Sequence, residues 1–413
     1  MIQAMYNGVS GLRAHKTQMD VISNNIANIN TIGFKASNVS FREMLSQTIR
    51  GATSPTASGM GGTNPMQIGL GTSIGSIDVN QAQGSLMPSG KPSDIAVEGN
   101  GFLMVGDGKG KYYTRDGSFR VDANANLVSA SGLNVLGWAA DPVTGNIDNT
   151  APITASSTIR LPIGQLNIAR QTTSATINGI VNSSTPAGGT ASSSFEVFDS
   201  LGVPHRVDIT FTKTANEAEW TWEASSLDSA SPTIGSGTIS FGTDGRNTVS
   251  SGTISLDLAS ANGASSPIDI ALNLGDMVAM GGESSLAFSQ NGVKFGTLTG
   301  YNIGKDGSIS GIFDNGLNQI LGQLALAQFS NSSGLQKAGN NLLVETPNSG
   351  SPQIGVPGSG SFGNVTSGFL ESSNVDLPTE FANMIVAQRG FQANSRIVTT
   401  SDEILQELVQ LKR

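Results

Sequence analysis

The sequence contains no cysteine. That excludes a disulfide framework, a thiolate metal site and a cysteine nucleophile. Histidine is nearly absent too. His15 and His205 lie far apart, so a histidine-rich metal site cannot be built within one chain. Charged residues make up 13% of the chain, about half the usual ~25%, and aromatics only 6%. The formal net charge is -9, which argues against nucleic acid as a partner, since that needs a basic face. No apolar run approaches the ~18 residues of a membrane span. The first ten residues carry no positive charge and lead into no signal-peptide core, so the chain is expected to be cytosolic or exported by a route that reads no cleaved signal. What is abundant is glycine, 52 of 413 residues. The length suffices for two or three domains with real cores.

The two ends carry helical periodicity and the middle does not. Ile2, Met5, Val9, Leu12, Met19 and Ile26 fall on a 3–4 spacing, interrupted by Lys16 and Ser23 and supported by Ile22, which predicts an amphipathic helix with a narrow seam. Near the other end Leu377, Met384, Phe391, Val398 and Leu405 repeat every seven residues. Ile397, Ile404 and Leu411 form a second row, and Phe381, Ile385 and Leu408 widen the stripe. A heptad sustained this long favours a partner helix. Residues 1–50 carry a net charge of +3 and residues 371–413 a net of -2, a weak further reason for the ends to meet. Each end alone has one apolar stripe and at most one partner, so both are expected to order mainly on assembly.

Between the ends, short alternating runs are broken by Gly, Asn and Asp. Ile95–Val97 and Phe102–Val105 flank a Gly-Asn-Gly turn. Tyr112–Thr114, Asp116-Gly117 and Phe119–Val121 read as a hairpin with a two-residue turn. Ile309–Phe313 and Ile320-Leu321 read likewise, as do Val207–Phe211 and Trp220–Trp222. The predicted class is mainly β with helical termini: two antiparallel β domains, one inserted in the other, and a coiled-coil domain made from both chain ends. Composition places the helical ends at 1–30 and 371–413 and extended connectors at 31–70 and 347–370. It places the first β domain at 71–146 and 289–346, and the inserted domain at 147–288.

Catalytic and ligand motifs fail on inspection. Gly358–Gly363 matches GxGxxG without the strand before it or the helix after it. Gly84–Lys91 has one residue too many for a phosphate loop, and Pro92 stands where Ser or Thr must ligate magnesium. Asp122, Asn124 and Asn126 have calcium-loop spacing, but Leu127 and Leu133 occupy the sixth and twelfth positions. Gly71-Thr72-Ser73-Ile74-Gly75 matches GxSxG. The residues after Ser73 alternate like a strand, and His205, the only histidine downstream, sits in a turn leading into a strand. No catalytic, cofactor or metal-ligating residue is expected.

The segment NNIANINTIGFK, from Asn24 to Lys35, closes the N-terminal helix. Asparagine terminates helices well, and Gly33 permits a left-handed turn. Asn24 and Asn28 share a helical face from which their amides would reach neighbouring chains. This segment resembles the signature of the bacterial flagellar rod and hook axial proteins. QGSLMPSGKPSDIAVEGNGFLMV and YTRDGSFRVDANANLVSASGLNVLGW are similar to the first β domain of that family. SGFLESSNVDL and MIVAQRGFQANSRIVTTSDEILQELVQLKR are similar to its C-terminal pattern. Gly390-Phe391 looks hook-like, where rod members tend to have Ala-Tyr, and the large insert also favours a hook member. The resemblance implies a non-enzymatic, extracellular subunit, exported through the flagellar type III apparatus without a cleaved signal. It would polymerise into a curved tube that couples rod to filament. Its implied partners are further copies of itself, the distal rod protein, the hook cap and the hook–filament junction proteins, with no nucleic acid, membrane insertion or cofactor. The residues expected to carry self-assembly are Ile2, Met5, Val9, Leu12, Met19, Ile26, Asn24, Asn25, Asn28, Gly33, Phe34, Met384, Phe391, Val398, Leu405 and Leu408. A distal rod protein is the alternative; a secreted β-rich adhesin and a serine hydrolase are remote ones.

Overall fold

A computed structural model describes residues 2–54, 61–141, 145–164, 167–248, 251–259 and 263–410. Two long helices, α1 (Ile2–Ala27) and α2 (Leu377–Gln410), pack together at one end of a chain otherwise built from strands. Asp376 caps α2: its carboxylate accepts the Thr379 hydroxyl, and its carbonyl accepts the Glu380 amide. Pro378 sits in the first turn, where a missing N–H costs nothing. After α1 the chain turns through Gly33, held at φ 69°.

The first β body has two sheets. One contains Phe102–Gly106, Lys111–Thr114, Phe119–Val121 and Leu127–Ser129 with the returning strands Leu326–Gln328, Leu342–Val344 and Gln353–Gly355. The other runs Gly137–Ala139, Asn318–Leu324, Ser308–Phe313, Val293–Ile303, Asn167–Arg170. Leu103, Val105, Leu127, Ile309 and Leu326 are wholly buried between them. The second body pairs a four-stranded antiparallel sheet (Thr190–Phe198, Pro204–Lys213, Glu219–Ser225, Thr233–Ser240) with a sheet of five strands centred on Ser174–Asn182. Strict alternation buries Val207, Ile209, Phe211, Trp220 and Trp222. Gly237 and Gly252 make room for the indole: a Cβ there would lie 2.8 Å and 2.6 Å from Trp222 ring atoms.

The structure departs from the sequence-based expectations in five places. The second body begins near residue 174, because Ile153, Ile159 and Leu161 pack into the first body and Asn167–Arg170 joins its sheet. It is not purely antiparallel, since Ser174–Asn182 runs parallel to Ile268–Asn273 and Met277–Met280. Residues 347–370 are not a connector: Gln353–Gly355 and Asn364–Ser367 pair with strands of the first body. Residues 31–70 are only partly one. Ser37–Glu43 pairs with Thr72–Val79, and Ser46–Arg50 with Met66–Gly69, forming a projecting β arm. Thr53 and Thr63 bridge within the same expected connector; residues 55–60 lie outside the described set, as does Leu411. Finally, Lys111–Thr114 and Phe119–Val121 do not form a hairpin. They pair with Phe102–Gly106 and with Leu127–Ser129 respectively. The hairpins 308–324 and 204–225 form as read.

The second body has its own two-sheet core from Ala175 to Met277. A fragment spanning residues 174–290 is expected to unfold in a single cooperative transition. Calorimetry checks this; a broad, non-cooperative melt would show that the body borrows its stability from the rest of the chain.

Candidate assembly surface

Along the seam between α1 and α2, glycines on each helix face larger residues of the other. On α1 the buried positions are Gly8, Gly11, Ala14, Ile22 and Asn25; on α2 they are Glu380, Ala387 and Ser401. Gly8 faces Asn394 and Val398, Gly11 faces Asn394, and Gly390 faces His15, so the helices run antiparallel. Glycine lets the backbones approach closely.

That placement changes the reading of the expected stripe. Met5, Leu12, Met19 and Ile26 are half-buried outside the row of buried small residues, Val9 lines a groove between α1 and the arm, and Ile2 is exposed. On α2, Met384, Val398 and Leu405 turn toward the seam, half-buried, whereas Phe391 is 36% exposed at its rim and Leu408 is exposed. Phe381, Ile385, Ile397, Ile404 and Val409 also face outward. The projecting arm adds Phe41, Met44, Leu45, Ile49, Met66 and Ile68, all exposed. The two helices and the arm thus carry most of the exposed large apolar side chains of the described residues, the kind of surface that marks a protein contact.

Within the chain the asparagine-rich segment makes several bonds. Asn25 is buried, donating to the Ser37 carbonyl at 2.9 Å and to Glu380 Oε1 at 3.1 Å while its Oδ1 accepts the Ser37 amide. One side chain thus joins α1, the arm and α2. Asn28 donates to the Asn24 carbonyl and side-chain oxygen, so these two amides bond each other along the helix. The Phe34 ring lies under the Lys337 ammonium, 5.2 Å away. Asn374, just before α2, accepts the Ala36 amide and donates to the carbonyls of Asn80 and Ala82.

Just beyond, Glu371 is wholly buried between Lys35 and Arg115, themselves 7% and 8% exposed. Its backbone carbonyl accepts the Gly33 amide at 2.8 Å and its carboxylate the Gly84 amide at 2.9 Å. Arg115 also donates to the carbonyls of Val97 and Gly99, and Lys35 to that of Ala82. Burial lowers the pKa of both cations, only partly offset by Glu371. Two cations and one carboxylate therefore lock the N-terminal segment, the first β body and the approach to α2.

Burial raises the pKa of Glu380; its bond from Asn25 opposes the shift and nearby Asp376 adds to it. A folded-state pKa above the unfolded value means that the folded chain holds more protons in that window. Stability from this group therefore rises as pH falls toward the unfolded value and is lost as pH rises through the folded one. Glu380→Gln, which keeps an oxygen for Asn25, is expected to stabilise the helix junction at neutral pH and to flatten this dependence. Thermal midpoints at pH 7 and pH 4.5 check both; a drop at neutral pH would show that the charge is needed.

Ser73 lies in the strand Thr72–Val79, its hydroxyl accepting from Arg42. His205 lies in the second body between Asp199 and Asp228. The two belong to different parts of the fold and do not form a nucleophile–base pair. Among the described residues no cluster could hold a metal ion and no helix is long and apolar enough to cross a membrane.

A β-rich chain whose termini close into one helical pair, with apolar surface gathered there, defines a structural subunit built for self-association. Four family descriptions match along it. "Flagella basal body rod protein" matches residues 5–35 and "Flagellar hook protein FlgE/F/G D1 domain" residues 96–182. "Flagellar basal body protein FlaE D2 domain" matches residues 165–293 and "Flagellar basal body rod FlgEFG protein C-terminal" residues 366–411. The flagellar hook protein FlgE of Borreliella burgdorferi is 38% identical over the whole of both chains. That of Salmonella typhimurium is 35% identical over 98% of each. The flagellar basal-body rod protein FlgG of Bacillus subtilis is 32% identical over the whole of both. The crystal structure of Helicobacter pylori flagellar hook protein FlgE2 shares the fold, with a TM-score of 0.52 over 69% of this chain and all of that one at 15% identity. The chain belongs to the flagellar hook protein family.

Proposed function

We propose that the chain is a structural, non-catalytic subunit of the flagellar hook. Copies polymerise through the terminal helices and the arm into a curved tube that joins rod to filament and transmits torque. The observation that carries this is the coincidence of full-length likeness to hook proteins with apolar surface gathered on α1, α2 and the arm. Export through the type III apparatus without a cleaved signal, and contacts with the distal rod, the hook cap and the junction proteins, belong to the same reading. So does the division of labour, in which the two β bodies shape the tube's outer wall and the termini build its inner one. Low charge and many small residues suit contacts that must slide as the tube bends. A distal rod role is the second reading, favoured by the full-length likeness to a rod protein.

Phe391→Asp places a charge on the rim of the seam, where a neighbouring copy would have to desolvate it. It is expected to abolish polymerisation as seen by electron microscopy while leaving the β bodies' thermal transitions unchanged. Normal tubes from the variant would remove the terminal helices from the contact surface.

A further inference from the structure

Seven residues separate Gly8 from His15, and the α2 residues facing them fall back from Val398 to Gly390. Continuing that register, Ile2 falls opposite Glu403. Beyond Glu403 the described part of α2 continues for about 10 Å at 1.5 Å per residue, past Ile2, with no described residue of α1 opposite it. This stretch carries Ile404, Leu408 and Val409, all exposed. Ile397, Ile404 and Leu408 share one face by their spacing, and the exposed Glu403 and Glu407 flank it.

A groove of about 490 Å³ lies between the outer face of α1 and the arm, lined chiefly by Tyr6, Val9, Arg13, Met44, Leu70 and Ile74. Tyr6 is 68% exposed and Met44 52%. Arg13 stands on its helical wall, and Arg42 reaches Ser73 on its strand wall. Two buried polar atoms beside it, Asn7 Oδ1 and Thr72 Oγ1, lack hydrogen-bond partners. The groove is apolar with a basic edge. The overhanging end of α2 is apolar with an acidic edge.

We propose that this groove in one copy receives the C-terminal end of α2 from a neighbouring copy, with Arg13 beside Glu407 and Tyr6 against Leu408. The proposal rests on the chain's being a self-polymerising subunit and names which surfaces meet. The pairing is head-to-tail: the groove of each copy is filled and its own α2 end is given to the next, so the contact propagates and does not close as a dimer.

The absence of native cysteine makes the test direct. Tyr6→Cys and Leu408→Cys chains are mixed, polymerised and oxidised, and denaturing electrophoresis reads covalent pairs. Mixed tubes should yield disulfide-linked heterodimers, and tubes of either variant alone should not. Tubes without heterodimers, or like-with-like dimers in single-variant tubes, overturn the proposal. If the cysteine variants fail to polymerise, charge exchange decides. Arg13→Glu and Glu407→Arg should each slow polymerisation at least tenfold, and the double variant should recover to within about threefold of the original chain; no recovery overturns it. The unmodified chain run in parallel separates the two levels. Its failure to form any tube would overturn the functional reading, whereas good tubes without the Tyr6–Leu408 bond overturn the groove alone.

Discussion

Replacing Glu371 with glutamine should destabilise the first β body by about 3–5 kcal/mol, the range for removing one partner of a buried ion pair. The substitution hardly changes volume, so the loss is electrostatic. Lys35 and Arg115 are both buried, and burial already lowers their pKa values with the carboxylate in place. A glutamine amide supplies one oxygen where two cations and the Gly84 amide each need an acceptor, and it points an N–H₂ at one of the donors. Urea titration should therefore show the first body melting early, with the second body's transition unmoved because its core lies elsewhere. Lys35→Met added to the variant removes one of the stranded charges and should recover part of the loss, a coupling that a double-mutant cycle measures. A loss below about 1 kcal/mol would mean that water reaches the site and the lock is not one.

This junction was not legible in the sequence, for a physical reason. Its members lie in four segments, and the Lys35–Glu371 contact spans 336 positions. No local pattern marks a buried charge whose partner comes from the other end of the chain. In the sequence Glu371 is one acid among several in the C-terminal segment. The heptads of α2 were legible because a repeat leaves a periodic trace, yet that trace pointed to the wrong contact in part. Gly8, Gly11 and Gly390 face the partner helix, and residues without side-chain bulk contribute little to a hydropathy pattern. The apolar residues that do produce the pattern are mostly half-buried or exposed. The misread hairpin has a similar origin. Gly117 sits where its carbonyl accepts the Ile95 amide and where a Cβ would overlap the Ile95 carbonyl. Glycine is there for close backbone approach, and not to turn one strand onto the next.

At the glycine seam two effects of known size oppose each other. Gly390→Ala should raise intrinsic helix propensity by about 1 kcal/mol, so an indifferent seam would make the variant more stable. A Cβ at that position, however, lies 2.6 Å from His15 Nε2 and 2.7 Å from Cε1. The imidazole has little room to yield, with Gln18 bonded at Nδ1 and Phe41 edge-on at 5.6 Å. Overpacking of this kind costs about 1–3 kcal/mol, which offsets or exceeds the propensity gain for alanine and clearly exceeds it for leucine. The pair has little to spare, because Gly8, Gly11, Ala14 and Ala387 bury little apolar area and ordering each residue costs about 1–2 kcal/mol in backbone entropy. The single chain already packs α1 on α2, so the pair does not wait for assembly as the apolar stripes alone suggest, and Gly390→Leu should separate the two helices in the lone subunit. Hydrogen exchange should show protection lost across residues 2–27 and 377–410, with both β bodies still protected, and polymerisation should cease. Asn25 and Glu380 should hold the far end longest, so the loss should run from the Ile2 end inward. Unchanged protection in the leucine variant, or a stabilised alanine variant that still polymerises, would show that the helices have room to part and that the small residues do not set their spacing.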